Sequence, residues 1–385
     1  MKEQSKYQTM EDGMTKSYIW PLFNRISHIL LVVFFTVCYI LADFDELLPY
    51  HVAFGLALGV VFIFRIVWGY IGPKHSKFKD FSFNKVNLIE YITHPFSKTK
   101  EYVGHNPASS YAIVAMILLA FLSIISGLLT YGIEENHGVL SFLHSSYFKD
   151  MELFKEIHEF FSNLFLGVII IHVLGSLIDK FIKKSDAIDS MISGYKKTTH
   201  NETIRTNIFQ KILGIVFILA TLFSMYYLLF TKENIFLANA NIKQDYGVLN
   251  NDFAKECGSC HITYPPYLLP KESWGKMMAN LENHFGDDAS TDEDTTAYIL
   301  AFLEDNSAQN STHQAALKIL KSLKGNNSTI AITKTPFWEK KHRDIDNTVF
   351  ANAKIKSKAN CKACHIDIEN GLIENDLINM PNLRG

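Results

Sequence analysis

Cys257-Gly258-Ser259-Cys260-His261 and, further on, Cys361-Lys362-Ala363-Cys364-His365 repeat one pattern, C-x-x-C-H. It is the pattern of c-type haem attachment: two thiols add across two vinyl groups of one porphyrin, and the next residue offers an imidazole to the iron. The chain has five cysteines in 385 residues, and these strings use four of them. Zinc sites also use C-x-x-C pairs, but a His directly after each pair is the less natural zinc pattern. Two covalent haems are therefore expected on Cys257, Cys260, Cys361 and Cys364, with His261 and His365 as proximal iron ligands. Such attachment happens outside the bacterial cytoplasm, which puts this domain on the exported side of a membrane. A porphyrin replaces much of a small domain's apolar core, so the apo-domain should be poorly folded.

N-terminal to these strings the composition changes. Up to Phe230 the chain carries long apolar runs; beyond it, the chain reads as a polar soluble domain. Five runs have spanning length, at about Trp20–Ala42, Val52–Ile71, Tyr111–Tyr131, Phe160–Ile178 and Ile212–Phe230. The polar start, Met1 to Ser17, lacks a secretory signal pattern, so the first run is read as an uncleaved anchor. A net charge of −2 argues against a nucleic-acid binder.

Basic residues give the orientation. Lys74, Lys77, Lys79, Lys85, Lys98 and Lys100 lie between spans two and three, and Lys180, Lys183, Lys184, Lys196, Lys197 and Arg205 follow span four. The turn between spans one and two has Asp43, Asp45 and Glu46 and no base, and the loop between spans three and four has only Lys149 and Lys155. Lys and Arg stay on the cytoplasmic side, so the N-terminus is inside and five spans put the C-terminal domain outside. That agrees with the attachment argument, which used different residues.

His28, His51, His158 and His172 lie within or at the ends of the spans. Ionisable residues in a membrane are costly and usually functional, although any one of them could be a hydrogen-bonded structural histidine. His158 and His172 are fourteen residues apart, about 1400° of rotation and about 21 Å of rise, so they share a face at opposite depths. Topology puts His51 level with His158 on the outer side, and His28 level with His172 on the inner side. The expectation is two bis-imidazole b-haems stacked in a four-helix bundle. Arg65 is read as a haem-propionate or headgroup partner, or as a snorkelling charge, and His105 as a shaper of a quinone site or a helix cap. Cys38 is read as an inert buried thiol, and His75, His94, His137, His144 and His200 as surface residues.

The strings Trp20-Pro21-Leu22-Phe23-Asn24-Arg25-Ile26-Ser27-His28, Phe64-Arg65-Ile66-Val67-Trp68-Gly69-Tyr70-Ile71-Gly72-Pro73, Gly104-His105-Asn106-Pro107, His158-Glu159 and Ile171-His172-Val173-Leu174-Gly175 resemble the prokaryotic cytochrome b561 / nickel-hydrogenase b-subunit family. The resemblance covers roughly Ser17 to Lys197. It implies a four-helix, two-b-haem carrier that exchanges electrons with membrane quinone, and the four histidines match the family's ligand positions. The fifth span lies outside that core and reads as a tether.

Each covalent haem needs a sixth ligand or an open site, and His284, His313, His342, Met277 and Met278 are candidates. Helices are expected over Ser273–His284, Asp292–Asp305 and Thr312–Lys324. The strings Tyr264-Pro265-Pro266, Leu268-Leu269-Pro270, Ser273-Trp274, His284-Phe285-Gly286, Thr335-Pro336-Phe337-Trp338 and Lys341-His342, with the two attachment strings, are similar to the bacterial dihaem cytochrome c family. Its bis-histidine haems imply His284 and His342 as distal ligands, with local pairing (His284 with His261, His342 with His365) preferred. His313 is then a surface residue, and the two methionines are packing residues.

The chain thus reads as mainly α. A cytoplasmic tail (1–17) precedes a four-helix b-type membrane domain (18–200), a fifth, tethering transmembrane helix (201–231), a linker (232–250) and a mostly helical periplasmic dihaem domain (251–385). Cofactors are two haem b and two haem c, with quinone or quinol as substrate. Partners are membrane lipid, the quinol pool and a soluble periplasmic redox protein; the lysine-rich rim near Cys361 reads either as a solvated face or as a dock for an acidic one. The location is a bacterial inner membrane. No side chain is assigned a catalytic role. A terminal reductase with an open c-haem, or a b-subunit anchoring a separate oxidoreductase, are the competing readings.

Overall fold

A computed structural model describes residues 14–44, 47–94, 102–231, 234–238, 240–373 and 378–381. Most of the expected N-terminal tail, together with Asp45, Glu46, Lys98 and Lys100 of the charge argument, lies outside them. In chain order the elements are β1 (Thr15–Tyr18), α1 (Leu22–Leu41), α2 (Leu48–Ile71), α3 (Lys85–Thr93), α4 (Pro107–Leu129), α5 (Ser146–Met151), α6 (Leu153–Phe181) and α7 (Ala187–Ser193). There follow β2 (Tyr195–Thr198), α8 (Ile208–Phe230), α9 (Tyr246–Leu249), α10 (Lys271–Met278), α11 (Glu293–Asp305), α12 (Gln314–Leu323), α13 (Pro336–His342) and α14 (Asn347–Ala351). The chain divides into two compact units, one running to Thr130 and resuming at Leu153–Ala238, the other formed by Tyr131–Glu152 and residues from Asn239 onward.

Among the described residues, the first unit holds five helices long and apolar enough to cross a membrane, and α4 runs on into a π-turn, Thr130–Glu134, whose last four residues belong to the second unit. Their starts are set by local chemistry. Pro stands in the first turn of α2 and of α4, where its missing N–H costs nothing. Asn106 caps α4 by accepting from the Ser109 N–H at 2.7 Å. Asn207 and Gln210 close a reciprocal capping box on α8. Helix α1 packs along α2, α4 along α6, and α2 also touches α4 and α8. The core is drawn mainly from α2: Ala57, Val61, Phe64 and Trp68 are buried with Phe34, Phe165 and Phe217.

The fifth span does more than tether. Phe217 on α8 stacks on Phe64 with ring centroids 3.9 Å apart at 13°. Gln210 Nε2 donates to the last carbonyl of α2, at Ile71, over 2.8 Å. Gly214 lies so close to the Phe23 ring that a Cβ there would run into it. At the same end β1 pairs antiparallel with β2, Thr15 opposite Thr198 and Tyr18 opposite Tyr195. The buried hydroxyls of Ser17 and Thr198 bond to each other at 2.6 Å.

The second unit has two small cores. One gathers Tyr246, Phe253, Leu269, Trp274, Met278, Ile299 and Leu303; the other gathers Tyr267, Leu268, Ala316, Ile319, Leu323 and Ile368. Two of the three expected helices here appear, as α11 and α12. The third stops at Met278, and Leu281–Asn283 form only a 3-10 turn before His284. The next residues explain this: Phe285 (φ 58°) and Gly286 (φ 106°) reverse the chain, and His284 and Asp287 exchange backbone hydrogen bonds across the turn. Residues 131–152, placed by the sequence in a loop of the membrane domain, pack here. The Asn136 side chain donates to Asn241 Oδ1 at 2.8 Å, Gln314 to Glu135, and Lys321 pairs with Glu152 at 2.7 Å.

Candidate haem centres

Three histidine pairs face each other in this fold. Ring centroids are 6.1 Å apart for His51 and His158, 6.1 Å for His261 and His284, and 6.2 Å for His342 and His365. A metal about 2.0–2.1 Å from each of two opposed imidazole nitrogens, with ring centres about 1.1 Å behind them, sets centroids about 6.3 Å apart. All three separations fit one iron held between two imidazoles. The fourth pair, His28 on α1 and His172 on α6, lies within electrostatic reach of each other.

The imidazoles are oriented by the backbone. Nδ1 of His51 pairs with the Cys38 carbonyl at 2.9 Å, and Nδ1 of His158 with the Ser123 carbonyl at 2.8 Å. His261 Nδ1 pairs with the Ile262 carbonyl at 2.7 Å, and His342 Nδ1 with the Trp338 carbonyl at 2.8 Å. A carbonyl only accepts, so Nδ1 carries the proton in each and Nε2 keeps the lone pair a metal needs. Burial holds His284 and His342 below the ordinary histidine range, which keeps both neutral, as ligation requires.

The attachment strings sit in tight turns. Phe253–Cys257 form a π-turn, and a Cβ on Gly258 would run into the Ala254 carbonyl, so glycine lets the turn close. Cys361–Ala363 form a 3-10 turn closed by the His365 N–H on the Cys361 carbonyl at 2.8 Å. The four thiols are unpaired with one another. Burial pushes Cys257 and Cys361 up to about 11, so both are held as thiols at neutral pH.

Several sequence readings change. Cys38 is no bystander: its carbonyl orients His51, and its thiol donates to the His51 carbonyl at 3.4 Å. The Arg65 guanidinium lies against Phe78 (5.2 Å) and Phe81 (5.7 Å) and donates to the Ser76 carbonyl at 3.3 Å. His105 sits between the rings of Trp20 (4.9 Å) and Phe81 (4.6 Å). His75 is largely buried beside Glu202, and His313 stacks flat on Tyr267 at 4.1 Å; neither is a plain surface residue.

One cluster went unread in the sequence. Asp179, buried on α6, accepts from the Tyr91 hydroxyl at 2.5 Å and from Asn106 Nδ2 at 2.9 Å. Lys183 Nζ lies 3.5 Å from Asp179 and 3.1 Å from the Tyr91 ring centroid. Burial, then Asp179, push the Tyr91 phenol up. An acid inside an apolar helix was the available signal.

Among the described residues, five apolar helices, three of which carry His28, His51, His158 and His172, followed by two C-x-x-C-H turns each with an opposed second histidine, define a membrane electron-transfer haem protein. The chain belongs to the dihaem cytochrome c family over residues 253–373, and residues 19–194 match the family model of prokaryotic cytochrome b561. A probable Ni/Fe-hydrogenase B-type cytochrome subunit of Bradyrhizobium diazoefficiens is 25% identical over 163 residues, covering 38% of this chain. The chain spans 65% of that curated relative's length. A dihaem cytochrome c from Shewanella baltica is 36% identical, covering 34% of this chain and 94% of its own, with a TM-score of 0.28. A dihaem cytochrome c from Rhodobacter sphaeroides is 35% identical, covering 33% and 98%, with a TM-score of 0.29.

Proposed function

We propose that this protein relays electrons between the quinol pool of a bacterial inner membrane and a soluble periplasmic acceptor. Two b-haems are held by His51 with His158 and by His28 with His172. Two c-haems are fixed through Cys257 and Cys260, and through Cys361 and Cys364. His261 with His284, and His365 with His342, supply their axial ligands. The N-terminus is cytoplasmic and residues 251–385 are periplasmic. When bound, the haems would supply one-electron chemistry; the cysteines would attach the porphyrin and the histidines would offer a pair of oriented imidazoles to each iron. The observation that carries this reading is the triplet of histidine separations at 6.1, 6.1 and 6.2 Å. Two imidazoles on each iron would leave no ligand position for a substrate. Bond-making is then confined to quinol, which gives up two protons and two electrons as it becomes quinone.

The test is pyridine haemochrome quantitation on the purified protein before and after acid–acetone extraction, followed by reduction with a soluble quinol. Four haems per chain, two extractable and all low-spin, with quinol reducing every one, bear the reading out. A high-spin c-haem would turn it into a terminal reductase. A second reading is favoured by the hydrogenase-subunit relative: the membrane domain takes electrons from a separate oxidoreductase. Co-purification of such a complex, with no reduction by quinol, would put that reading first.

A further inference from the structure

The second unit is strongly polarised in charge between its two histidine pairs. From Met277 to Asp305, around His284, there are eight acids (Glu282, Asp287, Asp288, Asp292, Glu293, Asp294, Glu304 and Asp305) and no Lys or Arg. From Pro336 to Lys362, around His342, there are seven bases against three acids. The basic segment also carries an aromatic platform. Trp338 stacks on His342 with centroids 4.3 Å apart at 14°, and Phe350 lies 6.0 Å from Trp338. Lys358 Nζ stands 5.9 Å over the Trp338 ring and 5.6 Å over Phe350. Trp338, His342, Arg343, Phe350 and Lys358 line one open cleft.

An aromatic centre inside a charged rim suits a protein-docking patch, and Trp and Arg are among the residues that most often carry such contacts. Its sign selects the partner. A basic collar attracts a protein whose own redox edge is ringed by carboxylates, and the acidic region around His284 repels the same protein. We infer that the His342–Trp338 cleft is the docking face for an acidic redox protein and the single point of electron exchange with it. This rests on the relay reading above and adds the partner's charge, the face it uses and the c-haem it meets. The step is a one-electron transfer that reduces the partner's metal and oxidises the c-haem held by His342 and His365, with no bond made or broken.

The experiment uses the full-length, haem-loaded protein, reduced and mixed by stopped flow with two oxidised probes. One is an acidic plastocyanin, reduced from copper(II) to copper(I); the other is basic mitochondrial cytochrome c, reduced from iron(III) to iron(II). Plastocyanin should react faster at low salt, and its rate should fall at least about tenfold as salt is raised to physiological strength and beyond. The double variant Lys356→Glu/Lys358→Glu should slow plastocyanin by at least about tenfold and speed cytochrome c, with c-haem midpoint potentials unchanged. Reversal on the opposite region, Glu293→Lys/Asp294→Lys, should not slow plastocyanin. The inference is overturned if the lysine reversal leaves both rates alone. It is equally overturned if both rates fall with a shifted c-haem potential, since the lysines would then serve the haem's own carboxylates. Oxidation by neither probe is a different failure, that of the relay reading itself.

Discussion

His51 and His158 face each other across the bundle with ring centroids 6.1 Å apart and planes at 89°. Each has committed Nδ1 to a carbonyl of a neighbouring helix, Cys38 on α1 and Ser123 on α4. Four helices thus converge on one axis, which is what a bound planar group needs to be held in a fixed orientation. His158→Leu should remove one of two extractable haems and leave both covalent haems in place. Haemochrome quantitation decides it: two extractable haems in the variant would mean His158 is not a ligand.

Gly127 supplies a sharper probe of the same pair. A Cβ there would come within 2.9 Å of His158 Cε1 and 3.0 Å of Nδ1, closer than real side chains sit. In a helix interior Gly→Ala ordinarily stabilises by about 0.5–1 kcal/mol. Here the sign should reverse. Gly127→Ala should broaden or shift the α-band of one b-haem and lower the melting temperature, and Gly127→Val should lose that haem. A variant more stable than the parent with an unchanged spectrum would show that His158 has room to move.

Much of this fold was legible because the membrane and the haem each impose a periodic demand. Five apolar runs gave five helices among the described residues, and His158 and His172, fourteen residues apart, lie on one long helix, α6. The misses have local causes. Helix α10 stops short of His284 because Phe285-Gly286 reverses the chain, and a propensity reading sums over a window and misses a two-residue turn. Residues 131–152 read as a loop by hydropathy, but their allegiance is decided by Asn136, Glu135 and Glu152, whose partners lie about a hundred residues or more away in sequence. The role of Cys38 rests on its backbone carbonyl, which no side-chain pattern reports.

The pairing of distal histidines is open to a direct test. His342 closes α13 with Nδ1 on Trp338 O and its ring 6.2 Å from His365. His342→Ala should leave two covalent haems, convert one from low-spin to high-spin by electron paramagnetic resonance, and raise its affinity for cyanide or carbon monoxide. His284→Ala should do the same to the other, since its ring is 6.1 Å from His261. If His342→Ala leaves both c-haems low-spin, the pair is close in space but not ligating.

Glu202 gives a pH dependence whose sign can be worked out. Its hydrogen bond with Lys74 at 2.5 Å, and then the charges of Lys74 and His75, hold the carboxyl below its ordinary value. With the folded value below the unfolded one, about 4.3, its stabilising effect is fully present above that pH and is lost as pH falls through the folded value. Glu202→Gln should therefore cost about 0.2–1 kcal/mol near neutrality, the range for a partly exposed pair, and nothing once the parent carboxyl is protonated. Melts of both proteins from pH 7 downward would check it; a difference that grows on acidification would sink it.

Asn136 tests whether the 131–152 segment truly belongs to the second unit. It sits at φ 57°, its carbonyl accepts from the Ala240 N–H at 3.0 Å, and its side chain donates to Asn241 at 2.8 Å. Two effects act on substitution. Alanine loses the side-chain bond, about 1 kcal/mol, and meets a left-handed backbone penalty of about 1–2 kcal/mol. Glycine loses the same bond but is free of the penalty. Asn136→Ala should therefore destabilise the c-type unit more than Asn136→Gly, and both should leave the b-haem content untouched. Hydrogen exchange at Ala240 reads the effect locally, and that amide should lose protection in the alanine variant first. Equal protection in parent and variants would mean the segment is not anchored there, whatever its backbone conformation.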